Sequence, residues 1–502
     1  MSTKALRDLF IIKNFCHEII GNYNREYQTL LTVKEFFIEP VTEVVGFLCD
    51  YHSLTLQCFE EMKSEKTRSV KFFIKSLPAV DEKDERIKIF EKEKELYRCL
   101  LPYLLKYSEE IWLPRLYLCD DQLLILEDLR ELDLADCRDH LNLGDMEMFN
   151  IIKTIMHSSS IVYESCNGIC IGDAFRDCLQ EITLSSSVPW LNTGLKALVE
   201  VAKIHPKYKT VKGQAFIANE LLSHLYMICS MADTSLKYRN VLCHRDLWGG
   251  NIFLNHQNPH HAAVFVDFQT CRYSPPAIDI IFIIFMNLSR EQRILSEYVY
   301  LRYYYRQLLK NFEYCENKTF LTISEQELHE SYKEFQLLGL VYRFLALSIL
   351  NVPRAIVNDH YKNVERSEQL MEYMQRNKEF RSLIFESVAD IIDWIIERIE
   401  KFKEFTLEPV TITENLWGSL QCNSSHYYYL IFECVLDEKE YTQKVSDENS
   451  EQETAEIIKI TFFVKQEVTC ERDDEKYSVF KKESNLYCSL LPFMLEFCEY
   501  TF

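Results

Sequence analysis

Hydrophobic spacing divides this chain into short runs of period two and longer runs of period near 3.6. SVKFFIKSLP predicts a strand with Lys75 at its end, and after an acidic turn ERIKIFEKEKELYRCLLPYL predicts a helix carrying Glu93. RLYLCDDQLLILEDL predicts a hairpin that turns at Asp120 and Asp121 and runs into Glu127, Asp128 and Leu129. Helical patterns follow in MEMFNIIKTIMHSSSIVYES, QAFIANELLSHLYMICSMAD, residues 331–350 and FESVADIIDWIIERIEKFK, and the N-terminal MSTKALRDLFIIKNFC also reads as a helix. The aromatic stripe LRYYYRQLL is read as core, the usual fate of such stripes at helical spacing.

One stretch breaks this alternation. VLCH and NIFL are short strand patterns that bracket a tight loop over 246–250, whose two glycines ease the turn. The turn-rich NHQNPHH and the β-rich VFVDF then bring Asp267 to the end of a neighbouring strand. Phosphoryl transfer needs a carboxylate beside the attacking hydroxyl and oxygen ligands that hold magnesium on the phosphates. Asp246, Asn251 and Asp267 supply those groups. Either aspartate alone would read as an ordinary turn carboxylate. The order His-x-Asp, Asn, Asp-Phe makes the phosphotransferase reading the stronger one. Lys75 and Glu93 are spaced to form the lysine–glutamate pair that grips nucleotide phosphates, against the plainer reading of a solvated edge lysine and a charged helix face.

Composition narrows the partners. The 502 residues are 47% hydrophobic and 13% aromatic, enough for two or three cores. Lys and Arg number 56 against 77 Asp and Glu, a net charge of −21, so the average field repels nucleic acid and anionic membrane, and neither is expected as a partner. A nucleotide would depend on a local lysine, backbone N–H groups and magnesium. The N-terminus has no signal-peptide pattern, and AIDIIFIIFMNL, a dozen residues containing Asp279, predicts a buried helix rather than a membrane span. Eighteen cysteines without zinc-site spacing predict free thiols in a reducing cytosol, with Cys166 and Cys170 forming only a CxxxC. The glycosylation sequons at Asn287, Asn317 and Asn423 are read as chance matches, and a soluble, cytoplasmic protein is expected.

The ordered set of strand lysine, helix glutamate, LILEDL, HRDLWGGNIFL, VFVDFQTCRYSPPAIDI and FEKEKELYRCLLP resembles the ecdysteroid-kinase-like family, whose broader relatives are the choline kinases and aminoglycoside phosphotransferases. The resemblance covers about residues 30 to 400. It implies a two-lobed, protein-kinase-like α+β fold: a small β-rich nucleotide-binding lobe over 1–128 and a large helical catalytic and substrate lobe over 129–400. It also implies ATP and Mg2+ as cofactors, Asp246 as catalytic base with His244 orienting its loop, and Asn251 and Asp267 as metal ligands. Lys75 would bind phosphate with Glu93 as its partner, Glu127 and Leu129 would lie nearest adenine, and Asp279 would brace the catalytic loop. The sequence departs from the family where Arg245 stands for Gly, Gly250 stands for Asn, and the phosphate loop in VTEVVGFLCDYHSLTLQCF offers only Gly46.

His244-Arg245-Asp246 also matches the protein-kinase triplet, but two features point to a small-molecule kinase. About 117 residues of mostly helical pattern separate Glu127 from His244, enough to wall a small-molecule pocket, and Asp267-Phe268 is followed by Gln269 with no APE-like segment after it. The expected reaction is transfer of the γ-phosphate of ATP to a hydroxyl of an ecdysteroid-like or xenobiotic alcohol. The alternative is a pseudokinase or interaction module that binds nucleotide without turnover.

A long-period repeat completes the picture. FFIEPVT returns as FTLEPVT, and at one constant offset Lys75, Glu93 and Tyr97 return as Lys465, Glu483 and Tyr487 in FFVK and FKKESNLYCSLLP. Residues 401–502 therefore read as a truncated second small lobe with a phosphate-gripping lysine and no base, either a shortened form of a longer tandem kinase, the favoured reading, or a small lobe retained as a docking module.

Overall fold

The structure is a computed structural model that describes residues 3–41, 49–60, 67–78, 85–137, 143–258, 261–313, 323–404, 425–435 and 457–467. The chain divides into two compact units, Met1–Ile392 and Asp393–Phe502.

The first unit begins with an antiparallel sheet of five strands: β1 (Leu31–Pro40), β2 (Asp50–Glu60), β3 (Thr67–Ser76), β4 (Leu116–Cys119) and β5 (Leu123–Glu127), in the order β1-β2-β3-β5-β4. Alternation along a strand decides which face each residue joins. Leu54, Leu56 and Cys58 of β2 and Val70, Phe72 and Ile74 of β3 pack with Ile19, Ile20 and Tyr23 of the helix Thr3–Tyr27. Lys75, one residue past Ile74, therefore belongs to the other face, where the helix Glu85–Cys99 lies. The helical pattern that runs on past Cys99 breaks at Leu100 and restarts as Leu101–Leu105, with Pro102 in its first turn where a missing N–H is harmless.

After β5 the unit is mainly helical, making the whole an α+β, two-lobed, kinase-like fold. Its few short strands carry the two loops singled out in the sequence. β7 (Val241–Cys243) pairs with β10 (Arg272–Ser274), while β8 (Ile252–Leu254) lies between β6 (Ala135–Asp136) and β9 (Val264–Phe265). VLCH and NIFL thus frame the 246–250 turn without pairing with each other.

The helix Ala277–Asn287 is buried along its whole length, Asp279 included. Among the described residues no helix is long and apolar enough to cross a membrane, and no disulfide links the cysteines. Asn287 is one of the sequon asparagines, yet its side chain is buried and donates to the Leu247 and Ile283 carbonyls, so it is a core residue. The helix Glu325–Leu350 starts at a Ser324 cap and crosses the helix Ala277–Asn287 at Gly339, where a Cβ would stand 2.1 Å from Ile281 Cγ2. Glycine costs helix stability at that position but permits the close approach.

In the second unit β11 (Ser425–Val435) and β12 (Ile457–Glu467) pair antiparallel, with Lys465 opposite Tyr427 and Phe462 opposite Leu430. In the first unit β2 and β3 set Lys75 opposite Tyr51 and Phe72 opposite Leu54, the same relation between lysine, tyrosine and the apolar pair. The other repeated segments, FTLEPVT and FKKESNLYCSLLP with Glu483 and Tyr487, lie outside the described residues.

Gly339→Ala should lower stability by about 1–3 kcal/mol, the usual cost of overpacking, measured as a fall in urea midpoint. An unchanged midpoint would mean that the two helices have room to separate.

Candidate active site

The small lobe and the catalytic loops meet at a buried ion cluster. Lys75 Nζ, on β3, donates to Glu93 Oε2 and to Asp267 Oδ1, the latter at 2.6 Å. Glu93 Oε1 accepts the Phe268 N–H at 3.1 Å, so one glutamate holds both the lysine and the loop after Asp267. Burial opposes the charge on Lys75, but Asp267 and Glu93 outweigh it and hold the ammonium well above the usual lysine range. Asp267 itself sits at φ 68°, a left-handed conformation that turns its carboxylate back toward the lysine.

Across the cluster lies Asp246. Asn251 Nδ2 donates to its Oδ2 and to its backbone carbonyl, both at 2.9 Å, and Tyr342 donates its phenol to Oδ1 at 2.8 Å. Burial and then the negative charge of Asp267 push Asp246 up to about 7, against the pull of those two donors. Glu93 and Asp267 bond to Lys75, and a third carboxylate, Asp246, lies within its electrostatic reach. An excess of buried negative charge made of oxygen donors fits a hard divalent cation. With both Nδ2 bonds of Asn251 spent on Asp246, its Oδ1 is the atom left for a metal. The Val266 N–H to Asn251 carbonyl bond, 3.1 Å, fixes Asn251 beside the loop that carries Asp267.

The loop that leads into Asp246 hangs from Asp279. This buried carboxylate accepts the His244 N–H on Oδ2 and the Arg245 N–H on Oδ1, each at 2.7 Å. His157 lies 3.0 Å from Asp279 Oδ2 through Nε2 and 2.8 Å from the Tyr304 hydroxyl through Nδ1. These contacts assign the proton to Nε2 and make Tyr304 the donor to Nδ1. Burial would raise Asp279, but His157 and the backbone donors hold it below the usual carboxylate range. The Cys243 thiol is within 4.8 Å of both groups but donates to the Ser274 and Pro275 carbonyls, so the trio is a hydrogen-bonded brace rather than a metal centre.

His244 turns Nε2 to the Val266 carbonyl at 3.0 Å, and burial lowers its pKa. Its Nδ1 is buried without a partner, so the ring is a neutral tie between the two loops and stands clear of the proton-transfer position. Thr270 adds a second tie by donating to the His244 carbonyl at 2.9 Å.

Two departures from the family pattern have local causes. Arg245 sits at φ 67°, where glycine is the easy residue. Its guanidinium is held there by Glu181 at 2.9 Å and by the Ala232 carbonyl at 3.0 Å. At Gly250 a Cβ would stand 2.1 Å from the Trp248 ring, so a larger side chain there would have to displace that ring.

At the expected adenine side, the Glu127 carboxylate is committed to Tyr27 at 2.9 Å and Arg115 at 3.0 Å, so contact with a base there falls to the backbone. Leu129 is buried against Leu134 and Val264 at the start of a short 3-10 turn. Gly46 lies outside the described residues. Sequence reasoning missed Tyr342, His157, Tyr304 and Glu181. A lone histidine in the apolar helical pattern MHSSS was the available signal for one of them; the others carry no mark in the sequence.

Glu181 generates a test of the loop's support. Burial would raise its pKa, but Arg245 and the Leu184 and Thr183 N–H groups hold it at about 2, and Arg272 Nε lies 3.7 Å from the same oxygen. A depressed carboxylate stabilises the fold above its unfolded value, and that stability is lost as pH falls through the folded value. Glu181→Gln should therefore cost roughly 3–5 kcal/mol at pH 7, as expected for one partner removed from a buried pair. The gap from wild type should close between pH 4.5 and about 2. A gap that persists at the lowest pH would contradict the charge account.

No curated protein matches the chain. Among solved structures, an ethanolamine kinase of Plasmodium vivax aligns at 13% identity and TM-score 0.33, over 69% of this chain and 84% of that one. A microcompartment-associated aminopropanol kinase aligns at 13% identity and TM-score 0.34, over 75% of this chain and 97% of that one. Likeness at this level bears on neither substrate nor mechanism. The family comparison is direct: the model of the ecdysteroid kinase-like family matches residues 46–317, more than half of the 502 residues. The matched span contains Lys75, Glu93, Asp246, Asn251, Asp267 and Asp279. This chain belongs to the ecdysteroid kinase-like family, and its site is that of a kinase-like phosphotransferase.

Proposed function

We propose that the first unit transfers the γ-phosphate of ATP, with magnesium, to a hydroxyl of a small molecule, an ecdysteroid-like or xenobiotic alcohol. The observation that carries this reading is the carboxylate of Asp246, held by Asn251 and Tyr342 beside the Lys75, Glu93 and Asp267 cluster. Asp246 binds the acceptor hydroxyl and takes its proton as the oxygen attacks phosphorus. Lys75, kept cationic by its two acids, steadies the phosphates. Asn251 and Asp267 are the residues that would hold magnesium, which would supply positive charge against that of the phosphates. His244 and Asp279 keep Asp246 in place without touching the acceptor.

The acceptor is proposed as an apolar alcohol because Tyr342, which bonds to Asp246, and Trp190, whose ring is 6.4 Å from that of Tyr342, are aromatic and partly exposed. A reducing cytosol suits the unlinked cysteines. Residues 401–502 are proposed as a second copy of the small-lobe hairpin, on the shared tyrosine–lysine register.

Asp246→Asn should lower turnover on the order of 10²–10⁴-fold while leaving the thermal stabilisation by magnesium and ATP in place. Unchanged turnover would reject Asp246 as base. Stabilisation by the nucleotide with no product from any alcohol in the wild type would favour a binding module. A saturating nucleotide at 100 times its dissociation constant should add about 2.7 kcal/mol to stability. No shift in melting temperature with ATP and magnesium would remove nucleotide binding itself.

A further inference from the structure

Tyr342 is placed where an acceptor would be expected. It lies one turn beyond Gly339, the residue that lets the helix Glu325–Leu350 sit close against the helix Ala277–Asn287. Arg343 secures that approach by donating to the carbonyls of Phe285 and, at 3.2 Å, Leu288. The Tyr342 ring lies 4.7 Å from Phe282 and 6.4 Å from Trp190, centroid to centroid. Trp190 is covered on one side by Arg366, whose guanidinium carbon is 5.8 Å from its ring. A buried phenylalanine thus backs a partly exposed tyrosine and tryptophan.

The hydroxyl at the end of this ring donates to Asp246 Oδ1 at 2.8 Å. The other oxygen of Asp246 is taken by Asn251. Asn251 is tied to the Asp246 backbone carbonyl as well, whereas Oδ1 is held by the Tyr342 side chain alone, so Oδ1 is the oxygen on which an attacking hydroxyl could replace a donor. A water in the same position would also give its proton to Asp246. Its oxygen would then bond to the γ-phosphorus as the bridging P–O bond broke, yielding ADP and inorganic phosphate. Water is everywhere and the alcohol is dilute, so an open Oδ1 would favour hydrolysis.

We propose that Tyr342 is an acceptor placeholder and specificity-determining residue: its phenol keeps water from Asp246 Oδ1 until an alcohol displaces it, and its ring with Trp190 forms the wall on which the alcohol's apolar frame lies. This rests on the kinase reading of the site. It explains a tyrosine hydrogen-bonded to a base that other residues already orient. An acceptor gains the place by offering both a hydroxyl and enough apolar surface to lie along the wall, whereas water offers only the first.

The test uses the full chain, with ATP and magnesium, and follows inorganic phosphate released without any alcohol. Tyr342→Phe removes the hydroxyl and keeps the ring; Tyr342→Met removes the ring and keeps an apolar side chain. Both should release phosphate about fivefold faster than wild type, the change expected from one net hydrogen bond. With ecdysone as the probe alcohol, Tyr342→Phe should transfer a smaller share of the consumed phosphate to the steroid. Release equal to or slower than wild type in both folded variants, checked by thermal melting, would overturn the proposal and leave Tyr342 as a brace for Asp246. Failure of the kinase reading would appear separately, as an Asp246→Asn variant that releases phosphate as fast as wild type.

Discussion

One buried carboxylate governs the geometry of the candidate site. Asp279 takes the N–H groups of two successive residues, His244 and Arg245, and so fixes the direction in which the chain enters Asp246. Its own orientation is set by His157, which is held in turn by Tyr304. An unpaired carboxylate at that depth would be costly, so three donors converge on it. The chain from Tyr304 to Asp246 is thus a single hydrogen-bonded series rooted in helices of the large lobe. The small lobe joins it at the far end, where Lys75 binds Asp267 and Glu93 binds the Phe268 N–H.

That arrangement accounts for Arg245. A left-handed backbone is cheap for glycine and strained for arginine. Here the strain is offset by a buried ion pair with Glu181 and by the two N–H bonds to Asp279. Arg245 is therefore held by groups that lie outside its own loop. Gly250 shows the converse, a position where a larger residue would need Trp248 to leave.

The parts of the fold legible in the sequence were those with a local cause. Period-two runs gave β3 and the β4–β5 hairpin, and the apolar run around Asp279 gave a buried helix. Lys75, Glu93, Asp246, Asn251 and Asp267 were visible because they lie in short ordered motifs, and the structure brings them together through the bonds described above. Helix breaks were less legible: the pattern around Ile155 and Met156 continues across a real interruption that starts a new helix at His157. Residues recruited from far along the chain were not legible at all. Tyr342 sits 96 positions from Asp246, in a stretch whose apolar spacing is fully explained by packing. Nothing in its neighbourhood marks one tyrosine among many as the one that reaches a carboxylate.

The proposed reaction moves phosphate from a nucleotide to an alcohol. The most direct measurement incubates the full chain with magnesium and ATP labelled at the γ-phosphorus over a panel of steroid and plant-derived alcohols, and follows the label. The account predicts label covalently attached to at least one alcohol, and none when magnesium is withheld. Bound nucleotide with the label found on no alcohol would contradict it.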